Sequence, residues 1–401
     1  MQIIDKDKCT GCGACYNACP KNAIRMIENE RGFLKPVIDE TKCINCKLCE
    51  KICPVKNYQS KNINQPKAYA FINKNDEIRL KSSSGAVFPS IANIILSKGG
   101  IVFGTHYDNE MKVCHTKIDK VIDIEKLQSS KYVQSDTKKT YQEVKYALEN
   151  GQLVLYTGTP CQIAGLYSYL KKDYEKLLTI DLVCHGVPSR KIFEMYKKEF
   201  MLSKKDNGKL VNINFRSKNN GWTCSEFSTT TTTTTTTTYQ TLGRHDDFMK
   251  CFLSNLILNN SCNDCHFNKI PRVADLTMGD FWGVDEFDTS LNDNKGTSIL
   301  LINTEKGKKF FEIVKTDSNV YTKEVPLNVA LKGNPNIIGS TQKNHACAMF
   351  WNEINTSNKT LHILTPKYVK KYAPILKILY KLCPQVVKKI IDKHILHRSY
   401  T

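Results

Sequence analysis

The feature that most constrains this chain is a pair of four-cysteine motifs near its amino end. Each motif has the spacing C-x2-C-x2-C-x3-C-P, and the second repeats the first 34 residues later. The flanking residues, DKCTGCGACYNACP and TKCINCKLCEKICP, are also alike, which indicates an internal duplication. Cysteines at this density are typical of metal ligation in a reducing compartment, where disulfides are rare.

The spacing favours two 4Fe-4S clusters. Two-residue gaps let a tight loop direct three sulfurs at one cubane, and in two-cluster ferredoxins the fourth cysteine ligates the other cluster. The predicted ligand sets are Cys9, Cys12, Cys15 and Cys53 for one cluster, and Cys43, Cys46, Cys49 and Cys19 for the other. Residues 24–39 between the motifs predict a hairpin with its turn at Asn29–Gly32. The alternative is a pair of zinc knuckles, but zinc-binding cysteine pairs are usually separated by a longer loop.

Length and charge limit the number of domains and the kinds of partner expected for this chain. A chain of 401 residues is too long for a ferredoxin alone and predicts two or three domains. The formal charge of +19 suggests nucleic acid or an acidic partner, but nine Lys/Arg against one Asp lie between Lys367 and Arg398. Since no other basic run is interleaved with base-stacking aromatics, we expect no nucleic-acid binding. No run of eighteen apolar residues and no signal-peptide pattern is found, so a cytoplasmic protein is expected.

Four segments are predicted. Residues 1–57 form an α+β, ferredoxin-like two-cluster module, and 58–67 form a polar linker. Over 68–345, short β-rich runs alternate with helical stretches, which predicts an α/β domain with a mainly parallel or mixed sheet. The predicted strands are 68–72, 101–107, 153–158 and 177–184, and the predicted helices are 86–98, 141–150, 161–171 and 190–200. Residues 346–401 form a basic helical extension, expected to pack on its own domain rather than on an anionic membrane surface.

Three predicted strand-to-helix loops carry distinctive residues, and ligands of parallel sheets bind at such loops. The first, 82–88, has the small hydroxyl residues of a phosphate cradle, although serine is also an ordinary N-cap. The second, 157–162, places Cys161 in a first helical turn, where the positive helix end lowers a thiol pKa; a buried, inert cysteine is the alternative. The third, 181–189, carries Cys184.

Further along the chain, Cys262 and Cys265 form a C-x2-C pair typical of metal or redox sites. With Cys161 and Cys184 they total four thiolates, enough for a third 4Fe-4S cluster, while zinc or a reactive dithiol is the alternative. The ten threonines Thr229–Thr238 are β-prone by composition, and no function is assigned to them. The cysteines that have no partner pattern are expected to be ordinary buried or surface residues: Cys114, Cys224, Cys251, Cys347 and Cys383.

Several motifs together resemble the beta-subunit family of coenzyme F420 hydrogenases and dehydrogenases. They are the ferredoxin module, SSSGAVF, SSKYVQS, GTPCQIAGL, DLVCHGVPS, FRSKNNGW and CNDCHFNKIPRVADLTMGDFWG, in the family's order over roughly residues 5–340. The chain is most similar to the bacterial branch, in which the ferredoxin module is fused at the N-terminus. The resemblance implies a flavin, usually FAD, and an additional cluster on Cys161, Cys184, Cys262 and Cys265.

The resemblance also implies flavin-binding residues, namely Ser83, Ser84, Gly85, Lys131, Tyr132, Gly158 and Thr159. This chain departs from the family in one place: the first loop usually reads S-G-G, and Ala86 replaces the second glycine. A methyl group there could crowd a closely approaching phosphate. His185 is a candidate proton relay and the one catalytic candidate; a histidine that bonds a loop carbonyl is the alternative.

The expected function follows from the difference between the two cofactors. A cluster moves one electron at a time, whereas a flavin exchanges one or two. We therefore expect an iron–sulfur flavoprotein oxidoreductase that reduces or oxidises an organic or deazaflavin-type substrate, served by a redox partner protein or a small-molecule donor. The alternative is an electron-transfer subunit or carrier without substrate chemistry of its own. The sequence fixes neither the substrate nor the direction of electron flow.

Overall fold

The two cysteine motifs fold around a short antiparallel hairpin. The computed structural model describes residues 3–60, 62–205, 207–223, 226–232 and 236–369. Strands β1 (Ile24–Glu28) and β2 (Leu34–Ile38) pair antiparallel, as predicted. Three short helices accompany the cysteines: α1 (Ala14–Ala18), α2 (Leu48–Lys51) and α3 (Pro54–Asn57). The turn closes with a hydrogen bond from the Gly32 N–H to the Asn29 carbonyl (2.8 Å), at a glycine φ of +73°.

The body of the described chain contains an eight-stranded mixed sheet. The strands of the body are, in chain order, β3 (Lys67–Asn73), β4 (Ile101–Tyr107), β5 (Val113–Ile118), β6 (Val154–Gly158), β7 (Leu177–Leu182), β8 (Lys209–Ser217), β9 (Glu226–Thr232), β10 (Thr236–Leu242), β11 (Leu276–Asp280), β12 (Ser298–Ile302) and β13 (Val320–Val325). The main sheet has the order β13-β3-β12-β11-β7-β6-β4-β5, and β8, β9 and β10 form a separate antiparallel sheet. The predicted mixed α/β body is confirmed.

Helices connect and cover these strands. They are α4 (Asp76–Leu80), α5 (Val87–Ser97), α6 (Ile124–Leu127), α7 (Thr140–Glu149), α8 (Pro160–Leu170), α9 (Arg190–Lys204), α10 (Asp247–Leu253), α11 (Val284–Phe287), α12 (Glu305–Lys315), α13 (Leu327–Gly333), α14 (Cys347–Thr356) and α15 (Leu361–Tyr368). Side chains of β6 alternate between two cores, since Val154 and Tyr156 pack with α7 and α8 while Leu155 packs with α5 and α12. The sheet is therefore covered on both faces, which explains its nearly continuous apolar strands.

Strand direction gathers the candidate loops at one edge. Strands β4, β6, β7 and β11 are mutually parallel, and β3 has the same direction because two antiparallel pairings, through β12, separate it from β11. The carboxyl ends of all five strands thus meet at one edge of the sheet. Ligands of open α/β sheets bind outside this edge.

The segment predicted as a linker is bonded to the body. Tyr58 stacks on Tyr167 of α8, with ring centroids 6.4 Å apart and planes 8° apart. The Ser60 hydroxyl donates to the Arg272 carbonyl at 2.7 Å, and the Asn62 amide donates to the same carbonyl at 2.9 Å. Cys12 and Ala14 of the ferredoxin module also join the core formed by α7 and α8. The module is therefore held against the body rather than carried on a free spacer.

Two further sequence predictions concern the threonine run and the C-terminal extension. The described threonines of the run lie at the end of β9 and the start of β10, which pair antiparallel with Thr232 opposite Thr236 and Thr229 opposite Tyr239; residues 233–235 lie outside the described part of the chain. The C-terminal extension contributes α14 and α15, whose apolar residues join the core around α9 and α10; the basic residues from 370 onward lie outside the described part of the chain. Among the described residues, no helix combines the length and apolarity needed to cross a membrane.

The departure at Ala86 has a backbone cost. Ala86 is the N-cap of α5 and adopts the left-handed conformation, with φ 71° and ψ 36°. This conformation costs a residue with a Cβ about 1–2 kcal/mol, whereas glycine adopts it freely. We expect Ala86→Gly to raise the free energy of unfolding by about 0.5–1 kcal/mol once the greater freedom of glycine in the unfolded chain is subtracted.

Denaturant unfolding of the two proteins under anaerobic conditions measures this difference. The matched control is Ala92→Gly, at a buried position in the middle of the same helix. There the substitution is expected to destabilise by about 1 kcal/mol, because glycine is disfavoured in helix interiors. Equal destabilisation by both substitutions would contradict the strain at Ala86.

Candidate functional site

The cysteines of the ferredoxin module line two separate cavities. One cavity, with an empty volume of about 340 Å³, is lined by sulfur-bearing residues of both motifs: Cys9, Cys12, Cys15 and Cys53. The other, of about 390 Å³, is lined by the complementary set: Cys19, Cys43, Cys46 and Cys49. In each cavity the fourth cysteine thus comes from the opposite motif.

The chemistry of both linings fits an iron–sulfur cubane. Four thiols converge on each cavity, and the remaining lining is mainly apolar, with no carboxylate or imidazole. Gly11 and Gly13 have φ of +74° and +80°, and a Cβ on either would lie within 2.6 Å of atoms of the body. Within the described ranges, no three His, Cys, Asp or Glu side chains meet closely enough to hold a single metal ion. In a single-ion site all donors meet at one point, whereas cubane ligands stand apart around a larger core.

Two cysteines of the body lie at the functional edge of the main sheet. Cys161 is the second residue of α8, after Pro160, and follows the carboxyl end of β6. Cys184 lies two residues beyond the end of the neighbouring strand β7. Since β6 and β7 are parallel neighbours, their loops are adjacent. This arrangement follows the predicted strand-to-helix pattern.

A short turn brings the C-x2-C pair to the same place. Cys262 ends a 3-10 turn at Asn260–Cys262. The Val187 N–H donates to its Sγ at 3.4 Å, which fixes the turn against the loop that follows Cys184. The Asn268 amide donates to the Cys184 carbonyl at 2.8 Å and ties the segment after Cys265 to that loop. Cys184 is close enough to Cys161, Cys262 and Cys265 to interact electrostatically with each of them, although 104 positions separate the first of the four from the last.

The pKa values of the body cysteines are raised by burial and by the neighbouring thiols. Burial, together with the nearby Cys265 thiol, raises the pKa of Cys161 to about 11 and that of Cys262 to about 12. Burial likewise raises the pKa of Cys184 well above its usual value. The lowered pKa predicted for Cys161 from its helix position is therefore wrong, because desolvation of a thiolate outweighs the positive helix end. Ligation of metal would displace these protons.

The first ferredoxin cavity adjoins the body cysteines. A Cβ on Gly165 of α8 would lie 3.1 Å from Cys12 Sγ, so this glycine lets the module approach the helix that begins with Cys161. The Tyr141 hydroxyl contacts the Cys12 carbonyl at 2.7 Å and the Gln162 carbonyl at 2.8 Å. Cys161 and Cys12 are close enough to interact electrostatically. Cys12 of the ferredoxin module therefore lies close to Cys161 of the body.

The serine loop lies at the carboxyl end of β3 and is tightly packed, and the N-cap of α5 is Ala86 rather than a serine. Ser83 Oγ accepts from the Ser130 N–H at 2.8 Å and bonds the Ser130 hydroxyl at 2.9 Å. Ser84 donates to the Thr297 carbonyl at 2.7 Å. A Cβ on Gly85 would lie 2.1 Å from the Phe71 carbonyl oxygen, so only glycine fits against β3 there.

The other predicted flavin residues fall into two groups. Lys131 and Tyr132 follow Ser130 and therefore lie beside the serine loop; burial lowers the pKa of Lys131 to about 7. Gly158 and Thr159 lie at the end of β6, where Thr159 forms a capping box with Gln162. Among the described residues no hydrogen bond joins this second group to the serine loop. It adjoins Cys161 instead, through a Thr159 Oγ1 to Cys161 Sγ contact of 3.2 Å.

Sequence reasoning missed a group of buried charges beside the serine loop. Arg216 donates to both carboxylate oxygens of Asp280, at 2.9 and 3.3 Å, and to the Tyr132 hydroxyl at 3.3 Å. Its Nε is buried and has no hydrogen-bond partner among the described residues. Lys218 donates to three backbone carbonyls, including that of Ser84 at 2.6 Å, and burial lowers its pKa to about 7. These residues lie within the FRSKNNGW and GDFWG segments, whose polar residues were the available signal.

His185 has a side-chain partner rather than the loop carbonyl considered from sequence. Its Nε2 lies 2.7 Å from Asn255 Oδ1, and its ring makes an edge contact with Phe252 at 5.2 Å. Burial lowers its pKa. The side chain is therefore fixed in place next to Cys184, and its proposed role as a proton relay stays a prediction.

Two family models match separate segments of this chain. Residues 151–327 match the family model for the C terminus of the coenzyme F420 hydrogenase/dehydrogenase beta subunit, and residues 8–57 match a 4Fe-4S dicluster domain. An uncharacterised ferredoxin of Methanocaldococcus jannaschii is 47% identical over 30 residues, which are 8% of this chain and 39% of that protein. A chain of the F420-reducing nickel–iron hydrogenase complex from Methanosarcina barkeri aligns with a TM-score of 0.45 at 17% identity, over 68% of this chain and 90% of its own length.

Proposed function

We propose that this chain is an iron–sulfur flavoprotein oxidoreductase. Its residues 151–327 match the C-terminal region of a coenzyme F420 hydrogenase/dehydrogenase beta subunit, and its residues 8–57 match a 4Fe-4S dicluster domain. Its redox groups would form a chain of two ferredoxin clusters, a third cluster and a flavin. The substrate would be an organic or deazaflavin-type molecule. The observation that carries the proposal is the arrangement of twelve cysteines in three adjacent groups of four.

The order of the groups supports a route for electrons. Cys15 and Cys49, which line different cavities, are close enough to interact electrostatically. Cys12 of the first cavity is similarly close to Cys161 of the body group. The first cavity would thus hold the middle member of the series. The groups would belong to the domains proposed from sequence: the module at 1–57, its connection at 58–67, and the body at 68–345.

The residues around the serine loop fit the anionic part of a flavin. Ser83 presents a hydroxyl there, and Arg216 has a buried Nε without a hydrogen-bond partner in the described part of the chain. Lys131 is buried, and its Nζ donates to the Gln128 and Ser129 carbonyls but pairs with no carboxylate among the described residues; burial lowers its pKa. A phosphate group would supply an anionic partner, since charge-assisted bonds to phosphate are strong. Gly158 and Thr159, between this region and Cys161, would lie on the cluster side of the flavin.

A bound flavin would supply the conversion between one- and two-electron chemistry. The residues of this chain would hold its phosphates, exclude water from the edge of the sheet and keep Cys161 close by. The competing function is a carrier or subunit that lacks a flavin and has no substrate chemistry. Both functions require the clusters, so the flavin distinguishes them.

Anaerobic purification followed by metal, sulfide and flavin analysis tests the proposal. We expect about 12 irons and about 12 acid-labile sulfides per chain, with about one releasable flavin, because three 4Fe-4S clusters hold four irons each. Cys184→Ala should lower the iron content to about 8, while Cys251→Ala, at a buried cysteine outside the three groups, should leave it unchanged. A wild-type protein with about 8 irons and no flavin would support the carrier instead, and a protein without sulfide would contradict both.

A further inference from the structure

The second cavity of the ferredoxin module lies at the surface of the described molecule. Of its four cysteines, Cys46 is classed as exposed, whereas Cys12 and Cys53 of the first cavity are buried. Ile44, on the rim of the second cavity, leaves 57% of its surface exposed, and Val37 on the neighbouring hairpin strand leaves 44%. Ile44 and Val37 therefore leave apolar surface uncovered at and near this cavity.

The charged residues that line the second cavity are all basic. The only charged residues that line the second cavity are Lys21 and Lys47, and the exposed Lys51 lies on α2 beside them. The first cavity is lined by no charged residue. None of the three lysines makes an ion pair or side-chain hydrogen bond within the described residues. Two nearby acidic residues, by contrast, are engaged in ion pairs: Asp39 with Lys42, and Glu50 with Lys56, each at 3.6 Å.

We propose that this lysine-rimmed surface, defined by Ile44, Lys21, Lys47 and Lys51, is the docking site of an acidic electron-carrier protein. The inference rests on the proposed function, because it assigns the outer cluster as the place where electrons enter or leave. Unpaired lysines around an apolar centre match a partner with carboxylates around an apolar redox edge. Complementary charge of this kind accelerates association and orients the encounter. One electron would pass between the outer cluster and the carrier in each encounter.

The lysines have a second possible effect, which the experiment separates from docking. Positive charge near a cluster also raises its reduction potential. Removing the lysines would then make the reduced cluster a stronger donor to every acceptor. A docking site instead discriminates between acceptors by their charge. Two acceptors of opposite charge, used with the same reduced protein, therefore tell these effects apart.

Stopped-flow oxidation of the full chain provides the test. The protein is reduced with dithionite, freed of excess reductant, and mixed with an acidic flavodoxin or with basic cytochrome c as the acceptor. We expect Lys21→Glu/Lys47→Glu to slow transfer to flavodoxin at least tenfold at low ionic strength, and to accelerate transfer to cytochrome c. The control, Lys98→Glu/Lys309→Glu, makes the same charge change at two exposed lysines of the body, one that caps the end of α5 and one on α12, and should alter neither rate appreciably.

Salt dependence of the wild type gives a second readout that needs no variant. Transfer to flavodoxin should slow between about 0.05 and 0.5 M salt, and transfer to cytochrome c should not, because screening removes an attraction only in the first case. Rates that change in the same direction for both acceptors, or an equal effect of the body control, would overturn the docking site. A wild-type chain without iron would overturn the proposed function itself, which the iron count reveals before any kinetics.

Discussion

Replacing Cys19 with alanine should remove about four of the irons bound by the ferredoxin module, and the same four should be lost when Cys46 is replaced. The reason is that Cys19 shares its cavity with Cys46, not with the cysteines of its own motif. A cubane that loses one of four thiolates is expected to be lost or to become labile. The measurement is iron and sulfide per chain after anaerobic purification, with the cluster signals followed by electron paramagnetic resonance.

Double variants make this test quantitative. Cys19→Ala/Cys46→Ala should lose no more iron than either single variant, because both residues serve one cluster. Cys19→Ala/Cys12→Ala should lose about eight irons, because two clusters are affected. Non-additivity within a pair therefore reports shared membership. If each motif held its own cluster, the two double variants would exchange these results.

The loss of the outer cluster should leave the rest of the molecule in place. Cys19 and Cys46 are not part of the body core, whereas Cys12 belongs to the core that contains α7 and α8. We therefore expect Cys19→Ala to keep the flavin and the body cluster, if these are bound. Cys347→Ala is a suitable control, since that buried cysteine donates to the Leu256 carbonyl at 3.3 Å and lines neither cavity. A control that loses iron would show that the loss reflects unfolding.

The second large effect is expected at Arg272, which forms a fully buried ion pair. Arg272 Nη2 donates to Asp181 Oδ1 at 3.0 Å, and neither side chain is exposed to solvent. The guanidinium also donates to the Leu182 carbonyl at 3.0 Å and to the Ile337 carbonyl at 3.2 Å. It thus joins the end of β7, which leads to Cys184, to the segment that follows Cys265.

Arg272→Met should lower the free energy of unfolding by about 3–5 kcal/mol, because it leaves the Asp181 carboxylate buried without its charged partner. The measurement is the shift of the denaturant midpoint under anaerobic conditions, read on both the cluster absorbance and the far-ultraviolet circular dichroism. Arg272→Met/Asp181→Leu should recover part of the loss, since removing both charges also removes the uncompensated one. Lys323→Met, which breaks an exposed pair with Asp288, should change the midpoint little.

The order in which Arg272→Met loses iron shows whether Arg272 anchors the loops of the body cysteines or only stabilises the whole fold. Under native conditions the body group of cysteines should lose iron before the two ferredoxin cavities do, because Arg272 fixes the loops that carry Cys184 and Cys265. A variant that is destabilised by less than about 1 kcal/mol, or one that loses iron evenly from all groups, would contradict this role.

The grouping of the cysteines in the ferredoxin module could be predicted in detail, because it depends on spacings within short segments of the sequence. The spacing of the eight cysteines specifies tight loops, and the crossing of Cys19 and Cys53 follows from the duplicated motif. The hairpin at 24–39 and the alternating strands and helices of the body were predictable for the same reason, since hydrophobic periodicity acts over a few residues. The pKa of Cys161 was not, because a helix end is a local feature whereas burial depends on the whole fold.

The sequence by itself determined how the eight ferredoxin cysteines are grouped, which segments become strands, and which loops lead into helices. Only the tertiary structure decided how those loops face one another. Strand order brings Cys161, Cys184 and the C-x2-C pair to one edge, and the fold places Arg216 and Asp280 beside the serine loop across 64 positions of chain. Such contacts depend on pairing between strands distant in sequence. No local pattern encodes them, because their free energy arises from burial and charge pairing that exist only after the chain has folded.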